Sequence, residues 1–327
     1  MNPANVTYIA KTFLMTLVIS FLIDKLIFVT LNKISDKVYT GQKVGKLNQY
    51  LLQKDDFDFI VFGSSRANHN IDPKKISNKG FNMGIDGQKL AYSGTLIKLL
   101  QNKKEQTLLL HIDPENAFNE AYLGNDIKAL LLKYNRNNIV KTEIDNLKQN
   151  NILQKYYWSL SYNGSVIAIL KNYFKPNYDY RSYFGYDPIH VSETQREIFQ
   201  NILQKNDTVL NCKYEFKLNK IYKDYIDELN TFCKANNKHL IIFTSPKFSD
   251  KCKNDNKALS QVLDTRNIPY FDLTDFFNND NAVEYWKDKE HLSSKGAELF
   301  TEKIKGLFHE NYALLRTKNT SLKDLRQ

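Results

Sequence analysis

The sequence predicts an α/β protein built on a five-stranded parallel sheet, and three observations carry that prediction. Five short segments are apolar almost throughout, rich in β-branched or aromatic residues and bounded by polar turns: Phe57–Phe62, Gly80–Met83, Thr107–Ile112, His239–Thr244 and Ile268–Leu273. Runs of that kind suit parallel strands covered on both faces. Helical spacings separate several of them, and strand–helix alternation argues a doubly wound fold. With 327 residues, 42% of them hydrophobic and 20 each of Tyr and Phe, the chain has enough apolar material for one large core or two smaller ones.

The helices follow from periodicity. Leu90, Leu96, Leu99 and Leu100 mark the first. Tyr222, Ile226, Leu229 and Cys233 mark another, Ala258, Val262 and Leu263 a shorter one, and Ala297, Phe300, Ile304 and Phe308 a closing helix. The interval from about 114 to 218 interrupts the rhythm and is too long for a simple connection. It opens with helical patterns at Ile127–Tyr134 and Ile139–Leu153, then becomes aromatic and turn-rich from Tyr156 to Tyr186. We expect an insertion over one end of the sheet, its aromatics forming either its own core or a lid. The expected organisation is an anchor and stalk at 1–40, an α/β domain at 41–309 containing that insertion, and a polar tail at 310–327.

An apolar run from Thr12 to Ile23 is broken by Asp24-Lys25 and resumes from Leu26 to Leu31. Together the two runs approach the length that spans a bilayer, and no small-x-small cleavage site follows. An uncleaved membrane helix is therefore expected, with membrane lipid as its partner. The two charges also fit a helix lying on a surface, because charges inside a membrane are costly. Five lysines (25, 33, 37, 43 and 46) follow the first run and only Lys11 precedes it, a bias that favours a cytoplasmic body.

The net charge is +10, from 46 basic and 36 acidic residues, but the lysines are dispersed and no basic stripe with interleaved aromatics stands out. That pattern reads as a solvated surface and argues against nucleic acid. Cys212, Cys233 and Cys252 match no zinc spacing, and an odd number excludes a fully paired disulfide framework. They read as buried or incidental residues, and no histidine cluster implies a metal.

Chemistry concentrates at three places. Gly63-Ser64-Ser65-Arg66 follows the first expected strand directly, where a small-residue turn can expose a serine. A serine hydroxyl needs a neighbouring base to become a nucleophile. Asp288-Lys289-Glu290-His291 can supply that base, with Asp288 turning back to hold Nδ1 and leave Nε2 free. Asn82-Met83-Gly84-Ile85-Asp86-Gly87 gives a strand-to-helix turn whose backbone N–H groups could face a developing oxyanion. His111 near the end of the third expected strand, with Asp113 and Asn116 just after it, lies toward the same edge. Each piece also has a plain structural account: Ser64 and Ser65 as caps, Asp288 and Ser293 as helix-start residues, the glycines as turn formers.

Taken together, these motifs resemble the SGNH (GDSL-like) hydrolase superfamily, in the membrane-anchored form associated with bacterial cell-surface polysaccharides. The resemblance spans about residues 55 to 308 without the insertion. It places Ser65 at the family's serine, Gly87 at its oxyanion glycine, and Asp288 and His291 in its last block. Ser64 stands where the family has aspartate. Asp113-Pro114-Glu115-Asn116 stands where Gly-x-Asn-Asp is usual.

The resemblance implies a flavodoxin-like three-layer sandwich and a Ser65–His291–Asp288 triad. It further implies an oxyanion hole from Ser65, Gly87 and Asn116, no metal or organic cofactor, and a body outside the cytoplasm. Arg66 and Asn82 are candidate substrate contacts. The implied activity is that of an esterase or O-acyltransferase on an acylated cell-surface glycan or similar ester. The altered third block leaves open a catalytically inactive, membrane-anchored protein of the same fold that binds or assembles polysaccharide during export or modification.

Overall fold

A computed structural model of the chain describes residues 3–204, 215–250 and 252–308. The expected polar tail and Cys212 lie outside the described residues. Two compact units emerge, one comprising residues up to 52 together with 124–180, the other comprising 53–123 and the chain from 181 onward. The expected insertion is thus divided: its first part belongs with the N-terminal helix, and only the remainder belongs with the sheet.

The sheet unit contains β1 (Phe59–Phe62), β2 (Gly80–Asn82), β3 (Gln106–His111), β4 (Lys238–Thr244) and β5 (Tyr270–Asp272). All four pairings are parallel, in the order β2-β1-β3-β4-β5. Register aligns Val61 with both Asn82 and Leu109, and Leu110 with Ile242. β1 and β3 are buried along their whole length, which explains why their sequences show no polar alternation. β5 is half-exposed and shorter than the run that suggested it, as suits an edge strand.

Residues 294–308 form the expected closing helix. Its Ala297, Phe300, Ile304 and Phe308 pack with Phe59, Val61, Leu109, Ile241 and Phe243 in one core cluster. Burial of each large side chain there contributes about 1.5–3 kcal/mol. The helix Lys220–Ala235 likewise buries Tyr222, Ile226, Leu229 and Cys233, the stripe read from its spacing.

In the other unit a single helix runs from Pro3 to Ser35, unbroken at Asp24-Lys25. It is long and apolar enough to cross a membrane, with a mean hydropathy of 2.2 over its most apolar stretch. Toward its C-terminal end the helix becomes part of a folded core. Phe28 is buried with Val38, Val44, Leu132, Tyr162 and Ile169. Asn48 donates to the carbonyls of Ser35 and Val38 at 2.7 and 2.9 Å, and Arg136 pairs with Asp36 at 2.6 Å.

Candidate active site

β1 ends in Phe62, and Gly63 turns the chain so that Ser65 becomes the first residue of the helix Ser65–Asn70. Gly63 has φ +142°, and a Cβ there would sit 2.6 Å from His111 Cβ, so no other residue fits without displacing β3. Ser64 caps the helix, its hydroxyl accepting from the Arg66 N–H at 3.4 Å. The two serines are therefore divided in function: one caps, and the next is presented.

What Ser65 meets is His291. Its Oγ lies 2.8 Å from His291 Nε2, and His291 Nδ1 lies 2.9 and 3.0 Å from the two carboxylate oxygens of Asp288. Asp288 Oδ1 also accepts from the Glu290 and His291 N–H groups, each at 2.9 Å, which fixes the loop as well as the ring. Burial alone would raise the pKa of Asp288. The hydrogen bond from His291 and the backbone N–H groups outweigh burial and bring it down to about 2. The carboxylate thus stays ionised across the range in which an imidazole works as a base.

The segment carrying Asp288 and His291 is a tight loop that doubles back. Lys287 N–H donates to the His291 carbonyl at 2.9 Å, Ser293 N–H to the Tyr285 carbonyl at 2.9 Å, and buried Trp286 pairs with Leu292. Asn70, at the far end of the serine helix and fully buried, ties the halves of the site together. It accepts from the Leu292 N–H at 3.3 Å and donates to Ser245 Oγ at 2.7 Å, just beyond β4. No local motif marks Asn70; only the tertiary fold makes it a brace.

The glycine-bearing turn lies alongside. Met83 N–H donates to the Val61 carbonyl at 2.7 Å and Ile85 N–H to the Gly63 carbonyl at 3.0 Å, continuing the β1–β2 register past the strands. A Cβ on Gly84 would come within 2.6 Å of the Asn68 nitrogen, so that glycine permits the close approach of turn and serine helix. Asn82, expected as a substrate contact, is corrected here. It is completely buried, donates to the Ala67 and Ile71 carbonyls at 2.8 Å each, and accepts from the Gly84 N–H at 2.8 Å. Its role is to brace the turn against the helix. The N–H groups of Ser65 and Gly87 have no acceptor among the described residues, leaving both free to donate to a ligand.

Arg66 is also placed differently from the expectation of a substrate contact. Its buried guanidinium pairs with Asp113, with Nη1 left unpartnered among the described residues. Burial would raise Asp113, but Arg66 and Lys247 outweigh it and hold the carboxyl below its usual range. Beside this pair, Ser64 Oγ lies 3.3 Å from Nδ1 of His111. Ser64, Gln88, Lys89, His111, Asp113 and Asn116 line part of a small cavity of about 10 Å³, room for roughly one water-sized group. Asn116 sits on the short helix Pro114–Ala117, and its side-chain amide makes no hydrogen bond to the described residues.

His111 is neutral. Burial first, then the charge of Arg66, push its pKa down to about 3. An unfolded histidine titrates near 6.5, so this group's contribution to stability is complete above that pH. It is lost as pH falls from about 6.5 toward 3, at up to about 1.4 kcal/mol per pH unit. Urea midpoints of His111→Gln are accordingly expected to fall less than those of the wild type between pH 7 and pH 4.5. An equal fall in both would remove His111 from the acid response.

His69, read from the sequence as structural or surface, lies with its ring centroid 6.3 Å from that of His291. Its Nε2 is 3.0 Å from Asp86 Oδ1 and its Nδ1 2.6 Å from the Asp187 carbonyl. Burial would lower its pKa, but Asp86 and then the Asp187 carbonyl outweigh that and raise it. Asn68 joins the same carboxylate at 2.9 Å. The pair tethers Asp86, the neighbour of Gly87, to the serine helix. Among the described residues, no group of three or more His, Cys, Asp and Glu side chains is placed to share a metal ion. No family model matches the chain, and no curated protein sequence matches it.

Proposed function

We propose that the protein is a serine-dependent esterase or O-acyltransferase of SGNH type, acting on an acylated cell-surface glycan or similar ester. The observation that carries this reading is the continuous chain from Asp288 through His291 to Ser65, at 2.9 and 2.8 Å. Side chains from two parts of the sequence 226 residues apart would not align in this order to serve helix capping alone. The strand order 2-1-3-4-5 adds support, since it is that of flavodoxin-like sheets, whose ligands gather at the carboxyl ends of the strands.

In this mechanism Ser65 Oγ attacks the ester carbonyl while His291 Nε2 takes its proton, and Asp288 holds the imidazolium that forms. The oxyanion receives the N–H groups of Ser65 and Gly87, with the Asn116 amide as the third candidate donor. Collapse expels the alcohol, which takes the proton from His291 and leaves an acyl–Ser65 ester. Water then gives a carboxylic acid, or a sugar hydroxyl a new ester; either nucleophile loses its proton to His291, and Ser65 regains one.

We further infer that the N-terminal helix is a retained anchor. Asp24 is almost fully buried and accepts from the Trp158 and Ser159 N–H groups at 2.8 and 2.9 Å, so the helix is built into the fold beyond its apolar run. A cleaved leader would leave those donors and the Phe28 core without partners. Cys252 is disulfide-bonded, whereas Cys233 is free and buried, and a disulfide suits an oxidising compartment. That favours a body outside the cytoplasm over the opposite orientation suggested by the lysines. The test is release of acetate from an aryl acetate and from an acetylated oligosaccharide by the full-length protein, with loss of both in Ser65→Ala. Folded protein inert toward both would favour a binding or assembly role.

A further inference from the structure

The first apolar run of the N-terminal helix ends at Ile23, before Asp24-Lys25, and the polypeptide packed against that end is itself apolar and exposed. The helix from Pro3 to Ile23, with Lys11 its one charged residue, covers about 30 Å at 1.5 Å per residue, the thickness of a bilayer's hydrocarbon core. At that level Ser20 Oγ lies 3.0 Å from Tyr157 Oη, and the rings of Phe21 and Tyr157 meet edge-on at 6.5 Å. One step further, Lys25 donates to Asp24 at 2.9 Å and to the Tyr156 carbonyl, while its Nζ lies 4.1 Å above the Trp158 ring.

Immediately before this contact runs the short helix Ile152–Tyr156, capped by Asn151 and burying none of its residues. Ile152, Leu153 and Tyr156 are 70%, 56% and 61% exposed, spaced i, i+1, i+4 so that they share a face. Lys155 is exposed on the same turn. Within this unit nothing covers these side chains, and an exposed apolar face is costly in water. Its position supplies the missing partner: it lies beside the anchor where hydrocarbon gives way to headgroups. There Tyr and Trp concentrate, and lysine stems reach outward to phosphates.

We propose that residues 152–158 form a second membrane contact, a short interfacial segment seated at the headgroup–acyl boundary beside the anchor. Leu153 and Ile152 enter the acyl region, Tyr156, Tyr157 and Trp158 occupy the boundary, and Lys155 faces the headgroups. The Asp24–Lys25 pair then sits at the edge of the bilayer and not within it, covered by the backbone of residues 156–159. The segment fixes the depth of the anchor and the height of this unit above the surface, beyond what a lone helix would define. The proposal rests on the reading of the helix as an anchor.

The test is photo-crosslinking of the full-length protein in phospholipid nanodiscs, with benzoylphenylalanine placed singly at Val18, Leu153 or Tyr156. Lipid adducts are counted by mass spectrometry on samples whose thermal melts match the wild type. Adducts at Leu153 and Tyr156 within about tenfold of Val18 are expected, as burial of one large apolar side chain biases occupancy by that order. Strong adducts at Val18 with none at Leu153 and Tyr156 would overturn the interfacial segment while leaving the anchor standing. Absence at all three positions would overturn both.

Discussion

Alanine at Ser65 is expected to lower ester turnover by about 10⁴- to 10⁶-fold, with His291→Ala nearly as damaging and the double variant no worse than the more damaging single one. The reason lies in the hydrogen-bond chain. Without the 2.8 Å contact to His291 Nε2, Ser65 keeps its proton, and without Ser65 the imidazole has nothing to activate. Ser64→Ala removes a cap and a contact to His111 but no reacting group, so turnover should persist at lower stability. Steady-state kinetics on an aryl acetate separates these outcomes. Additive losses in the double variant would show that Ser65 and His291 act independently, contrary to the mechanism.

Gly63→Ala should be the most damaging single change to the architecture of the site. The residue would have to adopt φ +142° with its Cβ 2.6 Å from His111 Cβ, in the middle of a packed sheet edge. Backbone strain and overpacking together amount to about 2–5 kcal/mol. For a domain of this size that corresponds to a fall in melting temperature of roughly 5–15 °C. Because the Gly63 carbonyl also accepts the Ile85 N–H, the turn bearing Gly87 should lose its register with Ser65. Differential scanning calorimetry measures the first effect and kinetics the second. A variant with wild-type melting would mean that the turn relaxes freely.

The sheet was legible because each central strand is buried on both faces, which makes its sequence a continuous apolar run. The expected strand Ile268–Leu273 is longer than β5 because Ile268, buried just outside the edge strand, continues the same apolar pattern. The candidate catalytic residues were legible as two local motifs, one at a strand end and one of four residues, Asp288 to His291. Their supports were not. Asn70, His69 and Asn82 act through partners on other parts of the chain, and nothing in their immediate surroundings distinguishes a brace from a solvent-facing amide or ring. The same holds for the N-terminal helix. By sequence Asp24 is a charge within an apolar helix; in the fold the N–H groups of Trp158 and Ser159 close around its carboxylate. That non-local contact also explains why the aromatic interval could not be apportioned from spacing alone.

The central claim is that Ser65 is an activated nucleophile. Labelling of the full-length, detergent-solubilised protein with a fluorophosphonate probe tests it directly. The account predicts a covalent adduct mapped to Ser65, absent in Ser65→Ala, retained in Ser64→Ala and slowed in His291→Ala. Folded wild-type protein that takes no label, or carries it on a residue other than Ser65, would contradict it.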